Sequence, residues 1–525
     1  MNLRFLVTVF AAVCLVVNPT QAADQPQWGA AWSRNMVSAE HGLPESFDPA
    51  TGRNIKWTAK IGTETHSTPV VAGGRVYIGT NNGEPRDPKH EGDRGVLMCF
   101  DERDGKFLWQ LVVPKRSEDP YFDWPKTGIA SPATVEGDRV YVVNNRGEVI
   151  CLDAHGMSNG NDGPFRDEGA HMTSPDGSGP PRKPQAGLDI QPETLRPPAD
   201  GKVLTPGPLD ADVIWIFDLV SGAGIWPHDG AHSSVLVHGD FLYLNTGTGV
   251  DNTHKRIRAT NAPSLVVLDK LTGRLLARDD EHIAPAIFHA AWSAPSLGVV
   301  NGRTMIFHAG ANGVLYAFEP LASRPPPGVV MKLEKIFQFD TDPRAPKENV
   351  HSFNQNKLEG PSIMHGMPVF LDRRIFLAGG GDLWWGKNEA WLKCVDATGA
   401  GDITGKAEVW SYPMTPHTMS TPAVSDGLVY VSDTGRNVHC VDARTGSALW
   451  THECRGLFWA SPMVADGKVF IGSRRGDFWV FAAGREKKIL GSLELGSPVT
   501  ATAVAANGVL YVATMKQLFA IAAGK

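Results

Sequence analysis

The chain has 525 residues, 42% of them hydrophobic and 20% charged, with 56 glycines, 38 prolines and 15 tryptophans. That length is more than one simple core needs, so several domains or one large closed repeat is expected, and the apolar, tryptophan-rich composition excludes a disordered chain. A formal charge of −6 with no basic run argues against nucleic acid or an anionic membrane as the main partner.

Residues 1–23 read as a secretory signal: Arg4, the apolar run Phe5 to Val17, then Thr20-Gln21-Ala22 before Ala23. The run is too short to span a bilayer, and Cys14 inside it lacks a lipidation pattern. Cleavage is expected near residues 22–23, giving an exported chain, periplasmic or secreted, with no later transmembrane segment. Residues 24–52 form an N-terminal extension and residues 53–525 the body.

The body opens with Asn54 to Lys60, a predicted strand carrying Trp57. From Ser67 a phrase appears that returns along the chain: a small residue and Pro, a polar-Gly turn, then an apolar-aromatic-apolar triplet. Ser67-Thr-Pro to Tyr77, Ser420-Thr-Pro to Tyr430 and Ser461-Pro to Phe470 are copies. The aromatic is placed eight times, at Tyr77, Tyr141, Tyr243, Phe307, Phe376, Tyr430, Phe470 and Tyr511. The last three are spaced by roughly 40 residues, close to the ~40–45 of a minimal four-stranded propeller blade. β-Branched and aromatic runs around Gly-Gly or Asp-Gly predict hairpins. A second phrase closes many units, as in Cys99-Phe-Asp to Trp109 and Cys440-Val-Asp to Trp450. Its Asp and Gly suit a turn between third and fourth strands, and its Trp is an apolar plug between sheets. Cys99, Cys151, Cys394 and Cys440 hold one repeated place and are read as small buried strand residues rather than disulfide partners.

Residues 154–210 form a Pro/Gly-rich insertion without periodicity, before a strand at Val213 to Asp218. A shorter Pro-rich insertion, Pro320 to Val329, follows in the fourth unit. In the fifth unit, Gly379 to Trp391 places three tryptophans in a glycine-rich hairpin, either an exposed recognition tip or a loop folded back. The last unit, Val499 to Ala522, lacks an outer strand, which Asn54 to Lys60 would supply. The expected fold is therefore an all-β, eight-bladed β-propeller of four-stranded antiparallel blades, its N-terminal strand completing the C-terminal blade. Seven blades is the alternative if the unit around Phe376 is misread.

The two phrases resemble the tryptophan-docking repeat of the pyrroloquinoline-quinone-like β-propellers, over nearly all of Trp57 to Ala523. That family includes the quinoprotein alcohol dehydrogenases and an outer-membrane assembly lipoprotein. With the loop Asn161-Asp-Gly-Pro-Phe165, the pattern looks most like the secreted planctomycete-type members. The resemblance implies the fold and leaves enzyme or scaffold open. Quinoprotein dehydrogenases hold the quinone between a pair of adjacent cysteines and a tryptophan, beside calcium. Adjacent cysteines are absent here, and the family's calcium ligands and catalytic aspartate find no residue-by-residue match.

Loops entering the innermost strands should meet at one mouth of the axial channel. The residue three before each proline equivalent gives His66, Ile129, His232, Trp292, His365, Met419, Trp459 and Thr500. His66, His232, Trp292, His365 and Trp459 form the candidate cofactor site, with His228, His289, Glu359 and His417 nearby. Either they hold a metal or flat polar cofactor, or they fill the channel. Asp153, Asn159, Asn161 and Asp162 offer oxygens and could form a calcium loop, or a plain Asx/Gly turn system. No nucleophile elbow, Walker loop or zinc helix motif occurs. Two functions follow. One is a scaffold binding a protein or polymer in the envelope or outside the cell. The other is a pyrroloquinoline-quinone-dependent alcohol or sugar oxidoreductase, with Trp292 or Trp459 stacking on the quinone and Glu359 as base.

Overall fold

A computed structural model describes residues 23–116, 121–173, 203–230 and 233–524. The expected signal segment lies outside these residues but for Ala23. No helix among the described residues is long and apolar enough to cross a membrane.

The strands form eight separate sheets, each holding four antiparallel strands from one blade. The first blade is Val70–Ala72, Arg75–Asn81, Arg94–Asp101 and Phe107–Pro114, and the pattern repeats around the ring. Phe376 lies in a full four-stranded blade, which removes the seven-bladed alternative. The eighth blade is Val504–Ala506, Val509–Ala513 and Gln517–Ile521, completed by Ile55–Lys60 from the N-terminus. Thr58 lies opposite Phe519 and Lys60 opposite Gln517, so the two ends of the chain share one sheet.

Each part of the repeat has a physical task. In the triplet, Tyr77 sits opposite both Val70 and Cys99, and Tyr430 opposite Ala423 and Cys440. A small thiol facing a large ring keeps the sheet spacing, and the four repeat cysteines are buried and unpaired. The Ser/Thr before each proline ties neighbouring blades together. Ser67 Oγ donates to the Ser131 carbonyl at 3.2 Å, and Ser131 Oγ to the Ser233 carbonyl at 2.9 Å. The Thr502 amide donates to Thr68 Oγ1 at 3.1 Å, closing the ring of bonds across the seam.

The outer tryptophan docks on the next blade's turn. Trp57 Nε1 donates to the Glu102 carbonyl at 2.9 Å, Trp109 to Ala154 at 3.0 Å and Trp410 to Ala443 at 3.0 Å. The turn glycine is a steric requirement as well as a backbone one. A Cβ on Gly105 would lie 2.7 Å from the Trp57 ring and one on Gly273 2.4 Å from Trp215, and both glycines have φ near +72°. The third and fourth blades lack this tryptophan, and a different device covers their edges. Met331–Lys332 pairs in parallel with Ala277 and Arg278, and Gly401–Asp402 with Phe337 and Gln338, each strand reaching back from later in the chain.

The N-terminal segment closes one end of the channel. Val71 N–H donates to the Gln25 carbonyl, Val135 to Pro26, Leu297 to Trp32, Phe370 to Ser33 and Val464 to Met36. Asn35 exchanges two bonds with Val424, at 2.7 and 2.8 Å, and Ser38 Oγ donates to Ala505 at 3.1 Å. The Trp32 indole reaches Val237 at 3.1 Å. One short stretch thus touches the inner strand of all eight blades. Arg34, fully buried, donates to the carbonyls of Trp28, Pro295 and Ser234. Burial without a counter-charge pushes its guanidinium down to about 9. Further on, Phe47 packs 5.8 Å from Phe478 and 6.4 Å from Phe519, filling the gap after the seventh blade, whose outer strand has Gly491 and no tryptophan.

Candidate functional site

With one end laced shut, the other mouth is the accessible one. It is built by the loops that enter the inner strands and by those joining second to third strands. The sequence-derived set is divided there. Trp292 stacks on His365, centroids 4.6 Å apart and planes 25° apart. His66 tilts against Trp459 at 5.8 Å and bonds Glu64 Oε1 at 3.1 Å. The Arg474 guanidinium lies 3.6 Å over the Trp459 ring. Ile129 is core, and Thr500 donates to the Thr65 carbonyl at 2.9 Å. His232 lies outside the described residues.

The Gly379–Trp391 hairpin folds back over the mouth instead of projecting. Trp384 stands edge-on to His289 at 5.1 Å, to Trp292 at 5.7 Å and to Trp459 at 5.9 Å, bridging the two groups. Lys387 anchors the loop through Asp342 Oδ2 at 2.7 Å, and the Gln355 amide donates to the Trp385 carbonyl at 2.7 Å. The glycines permit the tight approach: a Cβ on Gly381 would fall 1.9 Å from the Lys387 carbonyl oxygen. Trp384 remains 38% exposed.

Beneath the indoles lies a titratable centre. His289 Nδ1 donates to Asp382 Oδ2 at 2.9 Å, and its Nε2 is 3.0 Å from His228 Nε2. His228 Nδ1 donates to the Val250 carbonyl at 2.8 Å. His254 packs against both rings, at 4.9 and 5.3 Å, and Tyr121 stacks on His228 at 5.5 Å. Asp382 also accepts the amides of Trp384 and Trp385 at 3.0 and 2.8 Å and lies 3.6 Å from His365 Nε2. Burial acts against charge at Asp382, yet His289 and His365 hold this carboxyl well below its usual range. Burial likewise opposes charge on His289, but Asp382 holds it above the usual value. His228 is driven well below by burial and then by His289. Burial raises Asp229 to about 6. The inward-facing nitrogens of His228, His254 and His289 lie within 4.8 Å of one another, a set that could hold a metal.

His228 and His289 were legible as neighbours of the mouth; His254, Asp229 and Asp382 were not. His254 sits in an insertion between second and third strands, shaped by Asp251, which accepts Thr253 N–H at 3.0 Å and Arg258 Nε at 2.7 Å. Asp382 follows the three glycines of the tryptophan hairpin, the one available signal that the backbone passes close to something. Glu359 is exposed, its amide bonded to Asn356 Oδ1 at 3.1 Å.

Of the four residues of the candidate calcium loop, two bond to each other and two to residues outside the set. Asn159 reaches Asp162 at 3.3 Å, Asn161 reaches Glu168 at 2.8 Å, and Asp153 Oδ1 accepts the His155 amide at 2.6 Å. Buried Asp212 joins this group, its carboxyl pushed up to about 6 by burial and then by Asp162, Glu168 and Asp153.

The family model for the outer membrane protein assembly factor BamB matches residues 93–158 and 388–489. The chain is 28% identical over 108 residues to the quinohemoprotein alcohol dehydrogenase of Comamonas testosteroni, covering 18% of this chain and 15% of that protein. It is 32% identical over 94 residues to the 1-butanol dehydrogenase (cytochrome c) of Thauera butanivorans, covering 15% and 14%. The chain thus matches only a small part of these relatives' length. Among solved structures, BamB from Moraxella catarrhalis superposes with a TM-score of 0.47 at 12% identity, covering 89% of this chain and 96% of that one. The quinohemoprotein alcohol dehydrogenase ADHIIG from Pseudomonas putida HK5 gives 0.43 at 12% identity, covering 95% and 80%. The ring is an eight-bladed β-propeller, and its matched repeat segments are similar to those of BamB and of the quinoprotein dehydrogenases.

Proposed function

We propose that this chain is an exported ligand-binding propeller, working in the periplasm or outside the cell, that receives a ligand or a partner's segment at its one open mouth. The observation that carries the reading is the half-exposed Trp384, held over a buried polar centre while the N-terminal segment seals the opposite end. Aromatic faces above desolvated polar groups are the usual make-up of a recognition site.

The oxidoreductase reading fits the mouth poorly. A flat quinone needs a free ring face, but His365 covers Trp292 and Arg474 covers Trp459. Trp384 fills the space between them. The five described cysteines after the signal are all buried and unpaired, so a vicinal disulfide has no source. The donors nearest the centre are imidazoles, whereas calcium prefers six to eight oxygens.

The test is calorimetric titration of pyrroloquinoline quinone with calcium into the purified mature protein, followed by dye-coupled alcohol oxidation. No binding and no dye reduction are expected; micromolar binding with turnover would reverse the assignment. In parallel, a photocrosslinking residue at position 384 is expected to capture a ligand that the same residue at exposed position 409 does not. Equal capture at both positions removes the mouth as the binding face.

A further inference from the structure

Three imidazoles from three loops converge below the aromatic mouth, and their outer hydrogen bonds fix which nitrogens meet. The Val250 carbonyl can only accept, so His228 carries its proton on Nδ1. The Asp382 carboxylate likewise only accepts, so His289 carries its proton on Nδ1. Both rings therefore turn Nε2 inward, 3.0 Å apart. In two neutral rings those atoms would oppose lone pair to lone pair, so a positive centre belongs between them. A shared proton would serve two rings, but it accounts for neither the third ring nor the carboxylate beside them. His254 brings the third nitrogen, within 4.8 Å of the others, from a backbone position with φ +54°. Asp229, also in left-handed backbone at φ +65°, places Oδ1 3.5 Å from His228 Nε2 and Oδ2 4.0 Å from His289 Nε2. Such backbone positions are uncommon for residues with side chains and cluster at functional sites.

The 3.0 Å between the Nε2 atoms of His228 and His289 suits an ion. Imidazole nitrogens bound at about 2.0–2.1 Å lie roughly 3.0–3.4 Å apart for ligand angles of about 90–110°. The outer bonds suit it too, since metal-bound histidines regularly donate their second N–H to a carboxylate or a backbone carbonyl. We propose that His228, His254 and His289 bind a divalent first-row transition ion, with Asp229 as fourth ligand and Asp382 as the outer carboxylate orienting His289. Imidazole with one carboxylate selects the zinc, iron and copper class over calcium or magnesium. The ion would lie under Trp384 and Trp385, whose amides hold Asp382 in place. The site stands on its own geometry, whatever ligand the mouth receives. A second grouping, Asp87, His90 and Asp210, is a weaker rival because the Lys89 ammonium already sits on Asp210.

The experiment strips the full mature chain with a chelator, then titrates Zn²⁺ by calorimetry and Co²⁺ by visible absorption. The expected result is one ion per chain at micromolar affinity or better, with the d–d bands of a four- or five-coordinate cobalt site. His289→Ala and His254→Ala abolish the bands, Asp382→Asn weakens binding by about 10–100-fold, and His41→Ala and His90→Ala change nothing. Should His289→Ala fail to fold by circular dichroism, His254→Ala, in an insertion loop, decides. Absence of binding in the wild type overturns the proposal. So does binding that survives His254→Ala, or binding that His90→Ala alone removes.

Discussion

Two fully buried histidines show how little the residue type decides. His289 meets the Asp382 carboxylate and is held above its usual value despite burial. His308, on the second strand of the fourth blade, has no hydrogen-bond partner on either ring nitrogen among the described residues, and burial alone pushes it down to about 4. The consequence for stability follows from linkage. Between pH 4 and 6.5 the unfolded chain binds a proton at position 308 that the folded chain refuses. The stabilising contribution is therefore complete above pH 6.5 and is lost as pH falls toward 4. Between pH 7.5 and 5 the loss from this group is about 2 kcal/mol. His308→Leu keeps an apolar filling and removes the titration. Its urea midpoint is expected to fall less than the wild type's over that pH interval, and parallel pH profiles for the two proteins would refute the assignment.

At the scale of elements, the N-terminal segment acts as a lace rather than a strand. It forms no sheet of its own, yet its carbonyls accept amides from the inner strands of the first, second, fourth, fifth and seventh blades. Deleting residues 24–40 is expected to accelerate hydrogen exchange at Val71, Val135, Leu297, Phe370 and Val464, while Tyr77 and Tyr430, inside the sheets, stay protected. Unchanged exchange at those five amides would mean that the contacts do not persist in solution. The lace was not legible in the sequence because it occurs once and has no period, whereas the blades were legible because the same phrase is written eight times. The candidate site follows the same rule. Trp292, His365 and Trp459 are found at a fixed offset from a repeated proline, but His254 and Asp382 are single insertions whose meeting depends on how loops of separate blades turn. Nothing in their local spacing encodes that contact. Trp384 was visible as part of a tryptophan cluster; its direction is set by Lys387 on Asp342 and by glycines that admit a close backbone, which only the assembled ring supplies.

For the whole molecule, the decisive property is that the ring has no end. In an open repeat array each unit is held by its neighbours, and the terminal interface is weaker than the internal ones. Here the seam between the eighth and first blades is made like the interface after the fifth: Trp57 from the N-terminal strand docks on Gly105 and the Glu102 carbonyl just as Trp410 docks on Gly446 and the Ala443 carbonyl. Trp57 is 7% exposed and Trp410 8%, so truncating either opens a comparable cavity, at a cost of about 3–5 kcal/mol. Trp57→Ala and Trp410→Ala are therefore expected to lower the urea midpoint by the same amount, each in a single transition. A much milder effect at Trp57, or a separate early transition in that variant alone, would show a seam weaker than the other interfaces. Equality would mean that the first and last strands, more than 450 residues apart in the chain, bear the same load as neighbours, and that the loops at the open mouth stand on a frame as rigid across the seam as elsewhere.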